Sequence, residues 1–285
     1  MSGAPVWIDG SVRGRIDPHD RGLTLGDGVF DTLAAFHRIP FAGEHHLERL
    51  VGQAEAIGIP LERARVREGW DAVLAAAEAD HVVVRTSVTR GNTGRGLWPE
   101  GEVTPTIVVS ARPWNPQLFA SPVRLVTSSI RRNHTSPASR LKPLGYLDNV
   151  LAAREAAERG ADDALFLNYR GQIACTTIAN IFAVQGDRLI TPPTTDGVLA
   201  GIMRGLVLAA ATGAGLRPVE ASLAPADLLI AEAVFLTNSV RFLSPAISLD
   251  GAPLADSGRE AVTALQIAIL ASTRRECGYA PGVPT

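Results

Sequence analysis

The sequence predicts an α+β (mixed α/β) fold in two domains, and three observations lead to this prediction. The chain has 285 residues, which is enough for two domains of ordinary size. Segments typical of strands are interspersed with segments typical of helices along its whole length. A stretch with three prolines, PWNPQLFASP at 113–122, divides the chain. We therefore predict a smaller domain over 1–114, a linker over 115–120 and a larger domain over 121–285.

The predicted first domain begins with strands, continues with two helices and returns to strands. Residues 1–40 indicate a β-meander, in which VWIDG and SVRGRI flank a turn and GVFDTLAAF follows the loop HDRGLTLGDG. Apolar residues at helical spacing predict a helix over 43–60, and a second helix is predicted near 65–79. The segments HVVVRTSVTRG and TPTIVVSARP complete the domain as strands.

The predicted second domain opens with the strand VRLVTSSI. The helix YLDNVLAAREAAERG follows and ends at Gly160, since glycine commonly ends a helix. DALFLN and IACTTIANIFAV are predicted strands joined by a turn at Gly171. A helix is predicted from Gly201, EAVFLTNS is a predicted strand, and a C-terminal helix begins near Ser257.

Composition excludes several classes of function. The formal net charge is −2 and the pI is about 6.3, so no strong basic field exists to hold nucleic acid or an anionic membrane surface. No apolar run is long enough for a transmembrane helix, and the start lacks the pattern of a signal peptide. The cysteines Cys175 and Cys277 cannot form a disulfide framework. We therefore expect a cytoplasmic protein.

The lysine count is more informative than the overall charge. The sequence has 27 lysine and arginine residues together, and Lys142 is the only lysine among them. Arginine keeps its proton at any useful pH, whereas a lysine amine can lose it and attack a carbonyl group. Lys142 is therefore a candidate nucleophile, and chance survival of one lysine is the alternative.

Other catalytic patterns are absent from the sequence or open to two interpretations. The six histidines have no metal-ligand spacing with Cys, Asp or Glu, so no metal site is predicted. RGNTGRG at 90–96 fits an anion-binding loop or a flexible hairpin. GIMR at 201–204 fits a helix N-terminus that binds an anion or an ordinary helix start. TNS at 237–239 fits a phosphate contact or a solvated turn.

Five segments in order resemble the fold-type IV, or class IV, pyridoxal-phosphate-dependent aminotransferases. This family includes D-amino-acid and branched-chain aminotransferases and aminodeoxychorismate lyase. The resemblance covers nearly the whole chain. The segments are DRGLTLGDGVFDTL, HLERL, KPLGYLDNVLAAREAAERGADDALFLNYRGQIACTTIANIF, TPPTTDGVLAGIMR and EAVFLTNSVRFLSP.

The resemblance implies a pyridoxal 5'-phosphate site and a role for each matching residue. Lys142 matches the lysine that forms the internal aldimine with the cofactor, and Tyr146 matches a tyrosine near the phenolic oxygen of the cofactor. A guanidinium, helix N–H groups and short polar side chains would hold the phosphate. These phosphate-site residues are Arg49, Ile202, Met203, Asn238 and Ser239.

Cys175 departs from the family pattern. The family usually carries a glutamate five residues before the asparagine of NIF, and Cys175 occupies that position here. The glutamate pairs with the pyridine nitrogen and keeps the ring protonated, so that it can accept electrons. A thiol, with a reference pKa of about 8.5, replaces a carboxylate poorly. Cys175 is therefore assigned to the cofactor site as an altered contact, and a small buried apolar residue is the alternative.

Three functions follow from the resemblance. The first is an aminotransferase in which Lys142 moves the α-proton and the amino group passes from an amino acid to a 2-oxo acid. The substrate carboxylate is expected to contact Arg85, Arg90 or Arg95. The second is aminodeoxychorismate lyase, which releases pyruvate and 4-aminobenzoate. The third is a cofactor-binding paralogue with altered or no turnover, because of Cys175. The resemblance also implies a homodimer.

Overall fold

The computed structural model describes residues 4–12, 14–94, 96–98 and 101–282. The chain forms two compact units, and neither is one continuous stretch of sequence. Unit 1 comprises Met1–Trp114, Leu141–Gly145 and Glu276–Tyr279, and unit 2 comprises the remaining segments. The chain first passes from unit 1 to unit 2 after Trp114, where the predicted first domain ends. The later passages between the units, on either side of Leu141–Gly145 and of Glu276–Tyr279, have no counterpart in the predicted division. The predicted linker 115–120 belongs to unit 2.

Unit 1 contains one antiparallel sheet with helices packed on it. The strand order is β1-β5-β4-β2-β3. The strands are β1 (Val6–Ile8), β2 (Gly28–Phe36), β3 (Ile39–Pro40), β4 (Val82–Thr89) and β5 (Thr106–Pro113), and the helices are α1 (Arg21–Leu25), α2 (Gly43–Ala56) and α3 (Arg63–Ala76). The strands and helices predicted for 28–113 are present, with ends shifted by a few residues.

The core of unit 1 lies between the sheet and helices α2 and α3. Leu47, Leu50 and Ala54 share one face of α2 and are fully buried, as the helical spacing of apolar residues predicts. On α3, Trp70 is buried in the same core, and its indole N–H donates to the Thr86 hydroxyl over 2.8 Å. This packing fixes α2, and therefore the polar residues of α2, relative to β2.

Two predicted features near the start of the chain are corrected by the structure. The predicted strand SVRGRI is not formed in the described residues, where Ser11 makes only an isolated bridge to Ile8. The predicted loop HDRGLTLGDG contains helix α1. The Asp20 carboxylate caps this helix by accepting the Gly22 N–H over 2.7 Å, and Gly26 ends it with a positive φ of 67°. The capping pattern was present in the sequence, but a single helical turn is too short for a periodic signal.

A short C-terminal segment completes unit 1. The Cys277 thiol donates to the Ile39 carbonyl over 3.4 Å. The Tyr279 ring stacks on Phe36 with centroids 5.1 Å apart and lies 4.1 Å from the His81 ring. The pKa of Cys277 is raised to about 12, mainly because burial disfavours the thiolate. These residues pack as a structural part of the unit.

Unit 2 contains a larger mixed sheet, with strand order β11-β10-β9-β12-β13-β6-β7-β8 and β14 paired to β13. Parallel pairing occurs between β6 and β7, β6 and β13, and β10 and β11. The strands are β6 (Val123–Arg132), β7 (Asp163–Asn168), β8 (Ile173–Thr176), β9 (Asn180–Gln185), β10 (Arg188–Thr191), β11 (Arg217–Glu220), β12 (Ala233–Asn238), β13 (Phe242–Leu249) and β14 (Ala252–Pro253). Its helices are α4 (Leu147–Glu158), α5 (Ile202–Ala210), α6 (Pro225–Leu229) and α7 (Arg259–Cys277).

The predicted α+β fold is confirmed. The sequence predicted α4, α5, α7, β6, β7 and β12. It predicted IACTTIANIFAV as one strand, but the structure divides this segment into β8 and β9. Strands β10, β11, β13 and β14 and helix α6 were not predicted. In the described part of the chain, no helix is both long enough and apolar enough to cross a membrane.

Candidate active site

The backbone around Lys142 is fixed against strand β2. The Phe30 N–H donates to the Lys142 carbonyl over 2.9 Å, and the Leu144 N–H donates to the Gly28 carbonyl over 3.0 Å. The Lys142 N–H donates to Oε1 of Gln53, on α2, over 3.0 Å. Because all of these bonds use main-chain groups of 142–144, the position of residue 142 does not depend on its side chain.

The Lys142 amine lies over an aromatic ring. Its Nζ is 4.4 Å from the centroid of Phe30, within the range of a cation–π contact. Phe30 is buried, and Lys142 is half-buried. A primary amine held on a fixed segment can act as a nucleophile and can give up and take back a proton, and arginine can do neither at neutral pH.

Arg49 is held by a buried carboxylate. Its Nε donates to Oδ2 of Asp31 over 2.9 Å, and a terminal nitrogen of the guanidinium lies 2.8 Å from the same oxygen. Nδ1 of His46 lies 2.6 Å from Oδ1 of Asp31. His46 and Arg49 are three residues apart on α2, so both lie on the helix face that covers β2. Asp31 therefore sets the orientation of the Arg49 guanidinium.

The charge of this cluster follows from its contacts. Burial raises the pKa of Asp31, but the charges of His46 and Arg49 and their hydrogen bonds outweigh burial and hold that pKa below its ordinary value. Asp31 is therefore an anion at neutral pH. The Arg49 side chain is 12% exposed, so its cation is mostly shielded from water and suited to binding an anion.

The arginines predicted to bind a substrate carboxylate have different surroundings. Cζ of Arg85 lies 3.6 Å from the centroid of Phe30. Arg90 is buried and donates to both oxygens of Asp27 and to the carbonyls of Ile57 and Gly58. These contacts favour a structural role for Arg90, and its role in substrate binding stays a prediction. Arg95 lies outside the described residues.

In unit 2, helix α5 begins with a geometry suited to an anion. Gly201 precedes the helix, and no side chain caps it. The first N–H groups of a helix, here those of Ile202 and Met203, have no acceptor within the helix. A Cβ at residue 201 would clash with Oδ1 of Asn180, whose amide donates to the Leu199 carbonyl over 2.9 Å. Glycine therefore lets Asn180 approach the helix start closely.

The strand end at 237–239 supplies further polar groups in unit 2. Thr237 is 2% exposed, and among the described residues its hydroxyl has no hydrogen-bond partner. Buried polar groups are almost always paired, so this hydroxyl is suited to a ligand. The Asn238 carboxamide accepts the N–H groups of Val240 and Arg241 and thereby fixes the turn. Ser239 is half-buried in that turn.

Cys175 lies in an apolar environment on β8. It is 8% exposed and belongs to a cluster with Phe166, Ala174 and Val198. Its backbone pairs with Phe166 on β7. Tyr146, the residue before helix α4, is half-buried and accepts the Val150 N–H through its carbonyl over 3.1 Å.

Substitution of Gly201 by alanine is expected to destabilise the protein by about 1–3 kcal/mol, because the new methyl group displaces Asn180 from the helix start. Gly205 is the matched control. It is exposed within α5 with open space around it, so Gly205→Ala is expected to stabilise by about 0.5–1 kcal/mol through helix propensity. Urea unfolding at pH 7 measures both. A stability unchanged by Gly201→Ala would contradict the predicted clash.

Several contact residues were not found from the sequence. Asp31, His46 and Gln53 orient Arg49 and Lys142, and Thr237 adds a buried hydroxyl. The only available signal was the acidic residue in GVFDTLAAF together with the spacing of His46 and Arg49. Among the residues described, no three His, Cys, Asp or Glu side chains group closely enough to hold a metal ion.

Comparison with known proteins gives one family over most of the chain. The model of the amino-transferase class IV family matches residues 28–249. A Methanocaldococcus jannaschii protein, named provisionally as a branched-chain-amino-acid aminotransferase, is 34% identical over 245 residues and 83% of each chain. The aminodeoxychorismate lyase of Bacillus subtilis is 27% identical over 256 residues, which cover 88% of this chain and 87% of the relative.

A solved structure extends the similarity to the whole architecture. The crystal structure of a branched-chain aminotransferase from Thermoproteus uzoniensis, determined with norvaline, superposes with a TM-score of 0.86. The two chains are 27% identical, and the match covers 97% of this chain and 98% of the other. The α+β fold is therefore shared with that enzyme.

Proposed function

Since this chain belongs to the class IV aminotransferase family, we propose that it transfers an amino group between an amino acid and a 2-oxo acid with pyridoxal 5'-phosphate held on Lys142. The main observation in support of this proposal is the position of Lys142, the only lysine in the sequence. Its backbone is fixed by β2 and α2, and its amine lies over Phe30. Family membership makes the protein an enzyme of the aminotransferase type, with lyases among its relatives.

The residues present fit this cofactor at its aldehyde and its phosphate. An aldehyde needs a primary amine, which Lys142 alone supplies among the side chains of this sequence. A phosphate needs cations and N–H or hydroxyl donors. The described residues include such a cation, Arg49, which is oriented by Asp31, and such donors at the uncapped start of α5 and at the buried Thr237 hydroxyl.

The residues that match the family pattern are each assigned one role in the proposal. Arg49 binds the phosphate of the cofactor as a cation, and the N–H groups of Ile202 and Met203 bind it as a helix terminus. Asn238 and Ser239 complete the phosphate contacts. Tyr146 orients the cofactor through its phenol.

Lys142 has a second role once substrate is bound. The cofactor ring, when present, withdraws electrons and stabilises negative charge at the α-carbon of the substrate. The released Lys142 amine then takes the α-proton and later returns a proton to the product side. The fixed backbone of 142–144 would hold the attachment point of the amine in one place for both transfers, which favours them.

The relatives suggest two substrate classes. The similarity to branched-chain aminotransferases favours branched-chain amino acids as donors and 2-oxo acids as acceptors. The second candidate is the aminodeoxychorismate lyase reaction, favoured by the Bacillus subtilis relative and by the segments RGNTGRG, GIMR and TNS. Both reactions begin with the same lysine, so the family alone does not separate them.

The test is a panel of D- and L-amino acids scored by the absorbance of bound pyridoxal phosphate, beside an assay for release of 4-aminobenzoate. We expect branched-chain amino acids to convert the bound pyridoxal phosphate to its amine form, and we expect no 4-aminobenzoate to be formed. Aminobenzoate release without conversion by any amino acid would establish the lyase instead. Protein that stays colourless with added cofactor would overturn both functions. Protein that binds the cofactor but carries out neither reaction would leave the paralogue.

A Cys175→Glu variant is expected to abstract the α-proton about tenfold faster or more, because a carboxylate holds a proton on the pyridine nitrogen better than a thiol does. The same change places a carboxylate in the apolar cluster around Phe166, so the cofactor-free variant is expected to lose stability. Cys175→Ser is the control for size. Single-turnover absorbance measures the rate, and an unchanged or slower rate would contradict the assigned role of Cys175.

We further propose that the protein is a homodimer in the cytoplasm, as its family resemblance and composition suggest. Light scattering of the purified protein tests the dimer, which would give a mass near twice the 30.1 kDa of the chain.

A further inference from the structure

Phe30 is in contact with two cationic side chains at once. The Arg85 guanidinium carbon lies 3.6 Å from the ring centroid, and Nζ of Lys142 lies 4.4 Å from it. Both distances fall within the range in which a ring attracts a cation. Since both groups are that close to one centroid, Cζ and Nζ are at most about 8 Å apart, a separation at which like charges repel appreciably in a partly buried site.

Main-chain pairing holds the three groups in this arrangement. Phe30 is opposite Ser87 in the β2–β4 register, and Arg85 is opposite Thr32, two residues along the same face. The Phe30 N–H also donates to the Lys142 carbonyl. The arrangement is therefore set by the sheet and by the segment Leu141–Gly145, all within unit 1.

The elements packed around Lys142 differ in the charges they carry. Strand β4 contributes the Arg85 cation and β2 contributes the neutral Phe30 ring. Asp31 follows Phe30 on β2, so its side chain is directed to the opposite face, where its oxygens contact His46 and Arg49. Helix α2 contributes the neutral Gln53 to the Lys142 backbone.

We propose that Arg85 tunes the charge of Lys142, and that Phe30 is the platform that positions the amine next to it. The guanidinium keeps its proton, so the repulsion is relieved only when the lysine gives up its own. Arg85 therefore favours the neutral amine, the form that can attack an aldehyde. Arg85 acts through Lys142 and is a positioning residue. This inference rests on the proposed function in one respect only, which is that the Lys142 amine attacks the aldehyde of the cofactor.

The sole lysine makes the charge of Lys142 directly measurable. Full-length protein, freed of cofactor with hydroxylamine, is reductively methylated with ¹³C-formaldehyde, which labels Lys142 and the chain N-terminus. The NMR signal of dimethylated Lys142 is then followed against pH. The N-terminal amine is distinguished by its titration near pH 8.

In Arg85→Gln, the midpoint of this titration is expected to rise by about one pH unit, because the repelling charge is gone. Arg85→Lys keeps the charge and is expected to stay within about 0.3 unit of the wild type. It adds a second lysine signal, which is assigned in a Lys142→Arg background. An Arg85→Gln midpoint equal to or below that of the wild type would overturn the proposal.

Two further variants keep the test decisive. If Arg85→Gln does not fold, Arg85→Met retains an apolar stem against the ring and makes the same comparison. Phe30→Leu removes the ring while retaining a buried apolar side chain, and broadening or splitting of the Lys142 signal is expected when the platform is lost. A single sharp signal, identical to that of the wild type, would overturn the positioning role of Phe30. Because no cofactor is present, failure of pyridoxal phosphate to attach to Lys142 would leave these results unaffected.

Discussion

Replacement of Lys142 by arginine is expected to reduce transamination by at least about 10³-fold, since the protein loses the group that we propose to bind the cofactor aldehyde and to move the α-proton. The fold should persist, because the hydrogen bonds at 142–144 use main-chain atoms and Gln53. Arginine also keeps the positive charge next to Phe30. The loss would therefore reflect chemistry rather than unfolding.

Two measurements check this prediction. Borohydride treatment of the wild type with pyridoxal phosphate is expected to add one cofactor mass at Lys142, and Lys142→Arg should add none. The control is Arg140→Lys, which places a new lysine at an exposed position two residues away. That variant should remain active with modification still at 142. Full activity in Lys142→Arg, or an adduct elsewhere, would refute the central assignment.

The second large effect is expected at Asp31. Asp31→Asn should destabilise the protein by about 3–5 kcal/mol at pH 7, because it leaves the buried His46 and Arg49 without their carboxylate. Affinity for pyridoxal phosphate should also fall, since the guanidinium loses its orienting partner. Urea unfolding and cofactor titration measure the two effects.

The contribution of Asp31 to stability has a defined pH dependence. Its pKa is lower in the folded protein than the ordinary carboxyl value of about 4, so the native state binds its proton more weakly. The stabilisation is complete above the ordinary value and is lost as the pH falls through the lowered one. The difference in the free energy of unfolding between the wild type and Asp31→Asn should therefore become smaller as the pH falls below about 4.

Glu44 provides the control for Asp31. It is also a carboxylate that contacts two arginines, Arg63 and Arg67, but it is exposed on α2. Exposed ion pairs contribute little because water and salt screen them. Glu44→Gln should thus leave stability and cofactor binding nearly unchanged. A large effect there, with a small one at Asp31, would show that burial does not decide the importance of these carboxylates.

The chemistry of the site was more accessible from the sequence than its supporting contacts. Lys142 was proposed by counting, since one residue type occurred once, and Arg49 by its place in HLERL. Asp31 and Gln53 could not be assigned, because their roles arise where α2 packs on β2 and where a distant segment returns to the sheet. Such contacts join residues 15 to 89 positions apart and leave no periodic signal.

The fold was predictable to a similar degree and for similar reasons. Strands such as β2 and β4, and helices such as α2, have periodic apolar residues that a local pattern reveals. Strand β13 was missed because Pro245 lies within it, and proline usually argues against a paired strand. Strands β10 and β11 are four residues each, too short for their alternation to be recognised.

The path of the chain through unit 1 has a consequence for protein synthesis. The segment Leu141–Gly145, which carries the Lys142 amine, is separated from Met1–Trp114 by residues 115–140, and the piece Glu276–Tyr279 follows residues 146–275 of unit 2. A ribosome therefore releases this part of unit 1 only after it has made the unit 2 stretch Tyr146–Arg275. Co-translational folding of this unit cannot be completed early, and nascent chains stalled before residue 276 would present an incomplete, protease-sensitive product.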